Sequence, residues 1–253
     1  MSAPVDPKQG EREYFARIGE EGRRHSVAKP FSDEHCAQYL ANVAAMMELM
    51  PKPPGRILEF GCGTGWLGQM FAQRGYEVIG VDISPDAIAL AQATAVSRGL
   101  ANATYQVADY ETFAIATPVD SVIFHDALHH AESEADALRA AFAALRPGGM
   151  VLCLEPGAGH SKTASSRRAI EEFGVHEKDM PPAAIVKLAR AIGFTHHVVL
   201  PPPAAFMRTS YRAISTTDQS RGQSFQRYFM IVYRIVRLLR RRRELGMVLL
   251  WKD

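Results

Sequence analysis

Leu58-Glu59-Phe60-Gly61-Cys62-Gly63-Thr64-Gly65 is the stretch around which the rest of the chain is arranged. Arg56 to Phe60 read as a short buried strand, and Trp66, Leu67, Met70 and Phe71 follow at helical spacing. Three glycines at every second position separate the two. Such a turn requires backbone angles with positive φ and leaves room for a ligand against the main chain. The helix behind it directs its free N–H groups at whatever lies there. Glu59 is the discordant residue. A carboxylate at the strand's end repels a phosphate and suits an amine or a positive charge.

The glycines alone do not settle the ligand, because Gly63-x-Gly65-x-x-Gly68 also satisfies the dinucleotide pattern G-x-G-x-x-G. Composition sets the outer bounds. At 253 residues, 47% hydrophobic and 22% charged, the chain fits one globular α/β domain with additions. A net charge of +2 singles out no partner. Cys36, Cys62 and Cys153 are isolated, without C-x-x-C spacing, which argues against a disulfide framework or a zinc site and for a reducing cytoplasm. Met1-Ser-Ala-Pro-Val-Asp6 lacks the basic and apolar parts of a signal peptide, and no apolar run is long enough to cross a bilayer.

Residues 1–31 form a polar arm with Tyr14, Phe15 and Ile18 as anchors, expected to contain a helical turn and to lie partly over the mouth of the site. Ser32 is the expected N-cap of an amphipathic helix carrying Ala37, Leu40, Ala41, Ala44 and Met47, which Pro51-Lys-Pro-Pro-Gly55 ends. Tyr76 to Val81 form a second strand leading to Asp82, about twenty residues beyond the glycines, where a Rossmann-like fold places a carboxylate that grips ribose hydroxyls. Ser84-Pro85 then open a helix. Ala103 to Val107 and Val119 to Phe124 are the third and fourth strands. The former leads to Asp109-Tyr110, the latter to His125-Asp126-Ala127-Leu128-His129-His130. Ligands of open α/β sheets bind at such carboxyl ends. Leu138, Ala141, Phe142 and Leu145 make a helix that Arg146-Pro-Gly-Gly149 ends before a fifth strand, Met150 to Leu154. A helix from Pro181-Pro182 to Ile192, a sixth strand from Phe194 to Leu200 and a seventh over Gly246 to Lys252 complete the reading.

The pattern acidic-x-Gly-x-Gly-x-Gly resembles the first motif of the class I S-adenosylmethionine (SAM) dependent methyltransferases. The string Leu145-Arg-Pro-Gly-Gly-Met-Val-Leu152 resembles the helix, turn and fifth strand of the same family. The resemblance runs from about Arg56 to Asp253, with insertions at about 155–180 and 201–245. It implies a seven-stranded Rossmann-like α/β sheet of order 3-2-1-4-5-7-6, with strand seven antiparallel and helices on both faces. Residues 1–50 are then an arm and helix over the active site, and residues 51–253 the methyltransferase domain. The cofactor implied is SAM, leaving as S-adenosylhomocysteine. Its binding residues would be Glu59, Gly61, Cys62, Gly63, Gly65, Asp82, Ile83, Asp109, Tyr110 and His125, with Asp109 receiving the adenine amino group.

The acceptor is approached by elimination. Amino methyltransferases of nucleic-acid bases carry Asp/Asn-Pro-Pro-aromatic after strand four, and carbon-5 cytosine enzymes need a Pro-Cys nucleophile. This chain has neither, so no nucleic-acid partner is expected. A small molecule remains, methylated on a hydroxyl, or alternatively on an amine. His129 is the first candidate for general base and His130 the second, since an imidazole titrates near neutrality. Glu155 faces the same crevice and would bind substrate or assist the base. His160 and His176 either line the pocket or sit on an exposed loop. No metal is expected, because magnesium prefers carboxylates and waters over a set such as His125, Asp126, His129 and Glu155. Two other classes stay open: a SAM-binding module without turnover, and an NAD-dependent reductase using Gly63, Gly65 and Gly68 but lacking a second domain for its substrate.

Residues 225–243 combine an apolar stripe (Tyr228, Ile231, Val232, Ile235, Leu238, Leu239) with Arg227, Arg234, Arg237 and Arg240 to Arg243. The stripe packs on the chain's own core or on a second subunit of a homodimer. In the rival reading the helix lies peripherally on the inner face of an anionic membrane. In that rival reading the acceptor is a lipid-linked or phosphorylated glycan, and Pro201 to Pro203 with the polar stretch Thr216 to Gly222 form a lid and its hinge. The stretch from Tyr14 to Phe31 looks similar to bacterial methyltransferases of glycan and secondary-metabolite pathways, which makes a sugar hydroxyl the leading acceptor.

Overall fold

A computed structural model describes residues 8–215 and 221–253, with the backbone only for residues 210, 212–215 and 221–227. Seven strands form one sheet: β1 (Arg56–Phe60), β2 (Glu77–Asp82), β3 (Ala103–Val107), β4 (Val119–His125), β5 (Leu145–Leu154), β6 (His196–Leu200) and β7 (Met247–Trp251). The order is β3-β2-β1-β4-β5-β7-β6, parallel except for β7, which runs antiparallel to both of its neighbours. This is the doubly wound arrangement expected from the sequence. Alternation along the strands sends side chains to two separate cores. Leu58, Phe60, Val122, Phe124, Val151 and Val248 pack on one face beneath α6 (Glu134–Ala144) and α8 (Pro182–Ile192). Ile57, Val78, Ile123, Leu152 and Leu249 pack on the other beneath α3 (Cys36–Leu49), α4 (Trp66–Arg74) and α5 (Pro85–Ser97).

Several local expectations change. The polar arm is two helices, α1 (Gln9–Arg17) and α2 (Gly19–Val27), not one turn. It is anchored where Gly10 lies directly against the backbone of Phe173 and Gly174, at the end of α7 (Ala164–Phe173). No side chain could occupy that position, so glycine permits the close approach. Ser32 does not cap α3; its hydroxyl donates to the His25 carbonyl, and Asp33 Oδ1 accepts the His35 N–H instead. Ser84 does cap α5, its Oγ accepting from the Ala87 N–H with Pro85 in the first turn. β5 starts at Leu145, before the Pro-Gly-Gly turn. Arg146 to Gly149 bulge out between the pairs Val119–Leu145 and Ser121–Met150, and Lys252 holds the bulge through Gly148 N–H and Gly149 C=O. Beyond β6, α9 (Pro203–Ser215) packs on α3, and α10 (Arg221–Arg240) packs on α9. The expected hinge at Thr216 to Gly222 falls mainly on residues 216–220, outside the described residues.

Candidate active site

The carboxyl ends of β1 to β4 open into a cavity of about 310 Å³. The glycine turn supplies one wall, with Gly61, Gly63 and Gly65 all at positive φ. Gly61 N–H and Cys62 N–H both donate to the Val81 carbonyl, and Gly63 N–H donates to Asp82 Oδ2 at 2.8 Å. Asp82 Oδ1 accepts the Ser84 N–H at 2.9 Å, so one carboxylate braces the turn after β1 against the turn after β2. Burial raises the Asp82 carboxyl, which those two N–H groups partly counter. Gly65 stands apart from the cavity as the left-handed residue at the head of α4; a Cβ there would meet the Tyr105 ring at 2.7 Å.

Glu59 is 4% exposed and turned beneath α4, where a Cβ on Gly68 would lie 2.5 Å from its Oε2. The third glycine of the dinucleotide-like pattern thus makes room for this carboxyl. Oε2 has no hydrogen-bond partner. Burial, reinforced by Asp82 and opposed by the Gly68 N–H, pushes the Glu59 pKa up to about 8. His125 Nε2 is also buried and unpartnered; its ring sits edge-on to Trp66 at 5.6 Å and beside Tyr39 at 6.0 Å. On the far side, Asp109 and Glu111 after β3 clasp Lys8 of the arm at 2.6 and 2.7 Å.

The end of β4 carries the groups suited to proton transfer. Asp126 has φ +51, the one non-glycine residue with positive φ among those described. Such strain is held only where the surroundings enforce it. The turn it starts, Ala127 to His130, is fixed by Glu155. Glu155 Oε1 accepts from the N–H groups of Ala127 (3.1 Å) and Leu128 (2.9 Å), and its Oε2 lies 2.7 Å from His129 Nδ1. Burial alone would raise the Glu155 carboxyl, but the bond and charge of His129 and the two N–H groups outweigh it and hold it low. His129 Nε2 points the other way, 3.9 Å from Glu177 Oε2. Glu177 also meets His160 Nε2 at 2.5 Å.

His130 borders the cavity directly, whereas His129 and Glu155 lie behind its wall. Glu11 of α1 stands 3.3 Å from His130 Nδ1. Burial would lower the His130 pKa, but the Glu11 carboxylate beside it, with help from Glu177 and Glu155, pushes it up to about 9. His130 is therefore an imidazolium at neutral pH. His176 approaches the same Glu11 at 3.6 Å, and His160 sits beside His129 rather than on the cavity wall.

The structure thus gathers Glu59, Gly61, Cys62, Gly63, Asp82, Ile83, Asp109, Tyr110, His125 and His130 around one cavity. Glu11, Tyr39, Trp66 and Glu177, to which the sequence gives no site role, join them, as does Tyr14 of the arm expected over the mouth. Tyr14 carried a signal as an apolar anchor of a polar arm. Glu177, in the run His-Glu-Lys-Asp, carried none.

Residues 57–149 match the family model described as a methyltransferase domain. A 2-heptyl-1-hydroxyquinolin-4(1H)-one methyltransferase of Mycobacteroides abscessus is 39% identical over 79 residues, 29% of this chain and 35% of that protein. A ubiquinone biosynthesis O-methyltransferase of Aeromonas salmonicida is 37% identical over 98 residues, 38% of this chain and 41% of that protein. The chain thus spans well under half the length of these curated relatives. Among solved structures, phosphoethanolamine N-methyltransferase 2 of Haemonchus contortus, in complex with SAM, superposes with a TM-score of 0.65 at 19% identity. That superposition covers 96% of this chain and 60% of the other. At that identity the likeness speaks for the fold.

Proposed function

We propose that this chain, built on a class I SAM-dependent methyltransferase domain, moves a methyl group from SAM to a hydroxyl of a small neutral molecule, with a sugar or secondary-metabolite intermediate as the leading class. One observation carries the reading: a single cavity joins a carboxylate-lined glycine turn to an imidazole network. Glu59 borders the glycine turn where a dinucleotide would bring its pyrophosphate and so disfavours NAD, whereas Asp82 suits the ribose of either cofactor. The same residues fit SAM. Asp82 and Asp109 are acceptors placed for hydroxyl and amino donors, Glu59 Oε2 and His125 Nε2 are buried without partners, and the α-amino group and sulfonium of SAM supply positive charge. SAM brings an already activated methyl group. The protein's task is to align a nucleophile and take its proton.

In this reading His130, held as an imidazolium by Glu11, donates a hydrogen bond to the acceptor. His129 receives the acceptor's proton at Nε2, by way of Glu177 on the cavity wall, while Glu155 holds the ring in place through Nδ1. Glu155 is a positioning residue. The cavity's two lysines are engaged: Lys8 by Asp109 and Glu111, and Lys29 stacked 5.0 Å from the Tyr39 ring centroid. An anionic acceptor would meet Glu11 and Glu177 instead. Those two carboxylates favour one second reading, an amine acceptor held as its ammonium and methylated on nitrogen.

The test is release of S-adenosylhomocysteine from SAM over a panel of neutral phenols and sugars, amines and carboxylic acids. Turnover with hydroxyl acceptors, lowered in kcat but not in KM by His129→Gln, is the expected result. Turnover confined to amines would select the second reading. Tight SAM binding without any turnover would leave a SAM-binding module, and binding of NADH in place of S-adenosylhomocysteine would overturn the cofactor assignment.

A further inference from the structure

Helix α10 is amphipathic twice over. Ile231, Ile235 and Leu238 recur at spacings of four and three and are half-buried on the side that packs on α9. The adjoining side is apolar as well and uncovered: Tyr228 is 69% exposed, Phe229 65% and Val232 59%, with Tyr233, Val236 and Leu239 also exposed. At about 100° per residue, these six side chains occupy one continuous arc of roughly 140°. Single exposed apolar residues are ordinary on a protein surface. A contiguous aromatic and aliphatic face along more than three turns is the mark of an interaction surface.

Its charge says what covers it. From Gln219 to Arg243 there are eight arginines and no aspartate or glutamate. Arg237 borders the apolar arc, Arg240 lies within it, and Arg241 to Arg243 are exposed immediately beyond the helix. The first acid, Glu244, is already paired with Arg241 at 3.1 Å. A second copy of this chain docked through the same face would set arginines against arginines in a parallel or an antiparallel arrangement, because both ends of the helix are basic. An anionic bilayer meets every requirement. Its acyl boundary takes the apolar arc, the tyrosines lie at the headgroup level, and the arginine stems reach out to lipid phosphates.

We propose that α10 is a peripheral membrane-docking helix that lies in the plane of an anionic lipid surface through Tyr228, Phe229, Val232, Tyr233, Val236 and Leu239, with Arg237 and Arg240 to Arg243 as its electrostatic contacts. None of the described helices is long and apolar enough to cross a membrane, so the association is interfacial. The inner face of α10 rests on α9, and Ala204 N–H of α9 donates to Asn42 on α3. That is one turn from Tyr39 on the cavity wall. The helix therefore tethers the layer that borders the site. The proposal stands apart from the methyl-transfer reading.

The experiment is sedimentation of the full chain with vesicles of phosphatidylcholine alone and of phosphatidylcholine mixed with phosphatidylglycerol. Binding is expected only to the mixed vesicles, weakening with added salt. Arg240→Gln, Arg241→Gln, Arg242→Gln and Arg243→Gln combined should lower the partition coefficient roughly fivefold per arginine. Val232→Ser with Val236→Ser changes no charge and should also lower it at least tenfold, which a purely electrostatic association would not show. Circular dichroism and S-adenosylhomocysteine affinity unchanged from the parent establish that both variants are folded. Equal binding to the two vesicle types, or binding untouched by both variants, would overturn the proposal. So would a dimer in light scattering that Val232→Ser with Val236→Ser dissolves while neither vesicle is bound.

Discussion

Replacing Glu59 by glutamine should make the ligand-free protein more stable, by an amount that depends on pH. The Glu59 carboxyl is raised to about 8 in the folded chain by its burial beneath α4, against an ordinary value of 4.5. Between those values the folded state holds the proton more tightly than the unfolded state. Stability therefore falls as pH rises from 4.5 toward 8. At 1.36 kcal/mol per unit, the group costs the fold about 1 kcal/mol at pH 5 and about 3 kcal/mol at pH 7. Glutamine has the shape of the protonated acid, keeps an oxygen for the Gly68 N–H and never ionises. In a chain of this length the difference of about 2 kcal/mol corresponds to roughly 4–8 °C in melting temperature. Thermal melts of parent and Glu59→Gln from pH 5 to pH 8 should therefore diverge with rising pH, the variant melting higher throughout. The same variant should lose affinity for S-adenosylhomocysteine in a calorimetric titration, since a stability gain coupled to a binding loss marks a carboxylate kept for its ligand. A variant that melts at or below the parent at pH 7, or a gap that stays flat with pH, would refute the buried-carboxyl argument.

Gly68→Ala places a methyl carbon 2.5 Å from Glu59 Oε2 and 2.9 Å from Val78 Cγ1, so it should cost about 1–3 kcal/mol in chemical denaturation. Pairing it with Glu59→Ala should recover part of that loss, and strict additivity would show that the two side chains do not meet. Asp82→Ala leaves the Gly63 and Ser84 N–H groups without their acceptor and should lower both the melting temperature and, at least tenfold, the affinity for S-adenosylhomocysteine. Unchanged affinity would remove Asp82 from the site. Glu11→Gln takes away the group that does most to raise His130, whose pKa should fall from about 9 toward 6.5 in an NMR titration. The parent's His130 contributes stability fully below pH 6.5 and loses it as pH rises through 9, about 3 kcal/mol in all that the variant should lack. Identical pH–stability curves for the two proteins would exclude the Glu11–His130 pair.

The sheet was legible because its signals are local. Gly61 to Gly65, Ser84-Pro85 and the Arg146-Pro-Gly-Gly149 turn each impose backbone geometry within a few residues, and continuous apolar runs mark strands buried on both faces. Errors came where a local rule had a nonlocal competitor. Ser32 had the chemistry of a cap, yet the chain folds back so that its hydroxyl reaches the His25 carbonyl and Asp33 takes the N–H. The Pro-Gly-Gly turn looked like the boundary of β5. Lys252, more than a hundred residues away, holds it as a bulge within the strand. In sequence alone, the apolar stripe of the basic helix forms a single face. Once α9 takes Ile231, Ile235 and Leu238, half of that stripe remains uncovered, and only the structure could show it.

The site follows the same division. Asp82 announces itself by its distance from the glycine turn, and Asp109 by matching the acidic position after strand three of the family that the sequence resembles. The ionisation of the histidines cannot be read that way, since it depends on partners that the sequence keeps far apart. His129 and His130 are neighbours with the same intrinsic pKa. One turns Nδ1 to Glu155 at the end of β5 and Nε2 toward Glu177; the other meets Glu11 from the arm and has its pKa pushed up to about 9. This division also assigns the arm a chemical role beyond covering the cavity. Through Glu11 it sets the charge of an imidazole on the cavity wall, so any opening of α1 away from His130 would return that histidine toward neutrality. Any separation of α1 from His130 would thus be coupled to the protonation of that histidine. Deleting residues 1–18 should therefore lower the His130 pKa as Glu11→Gln does, and a deletion that left it near 9 would assign the shift to Glu177 and Glu155 instead.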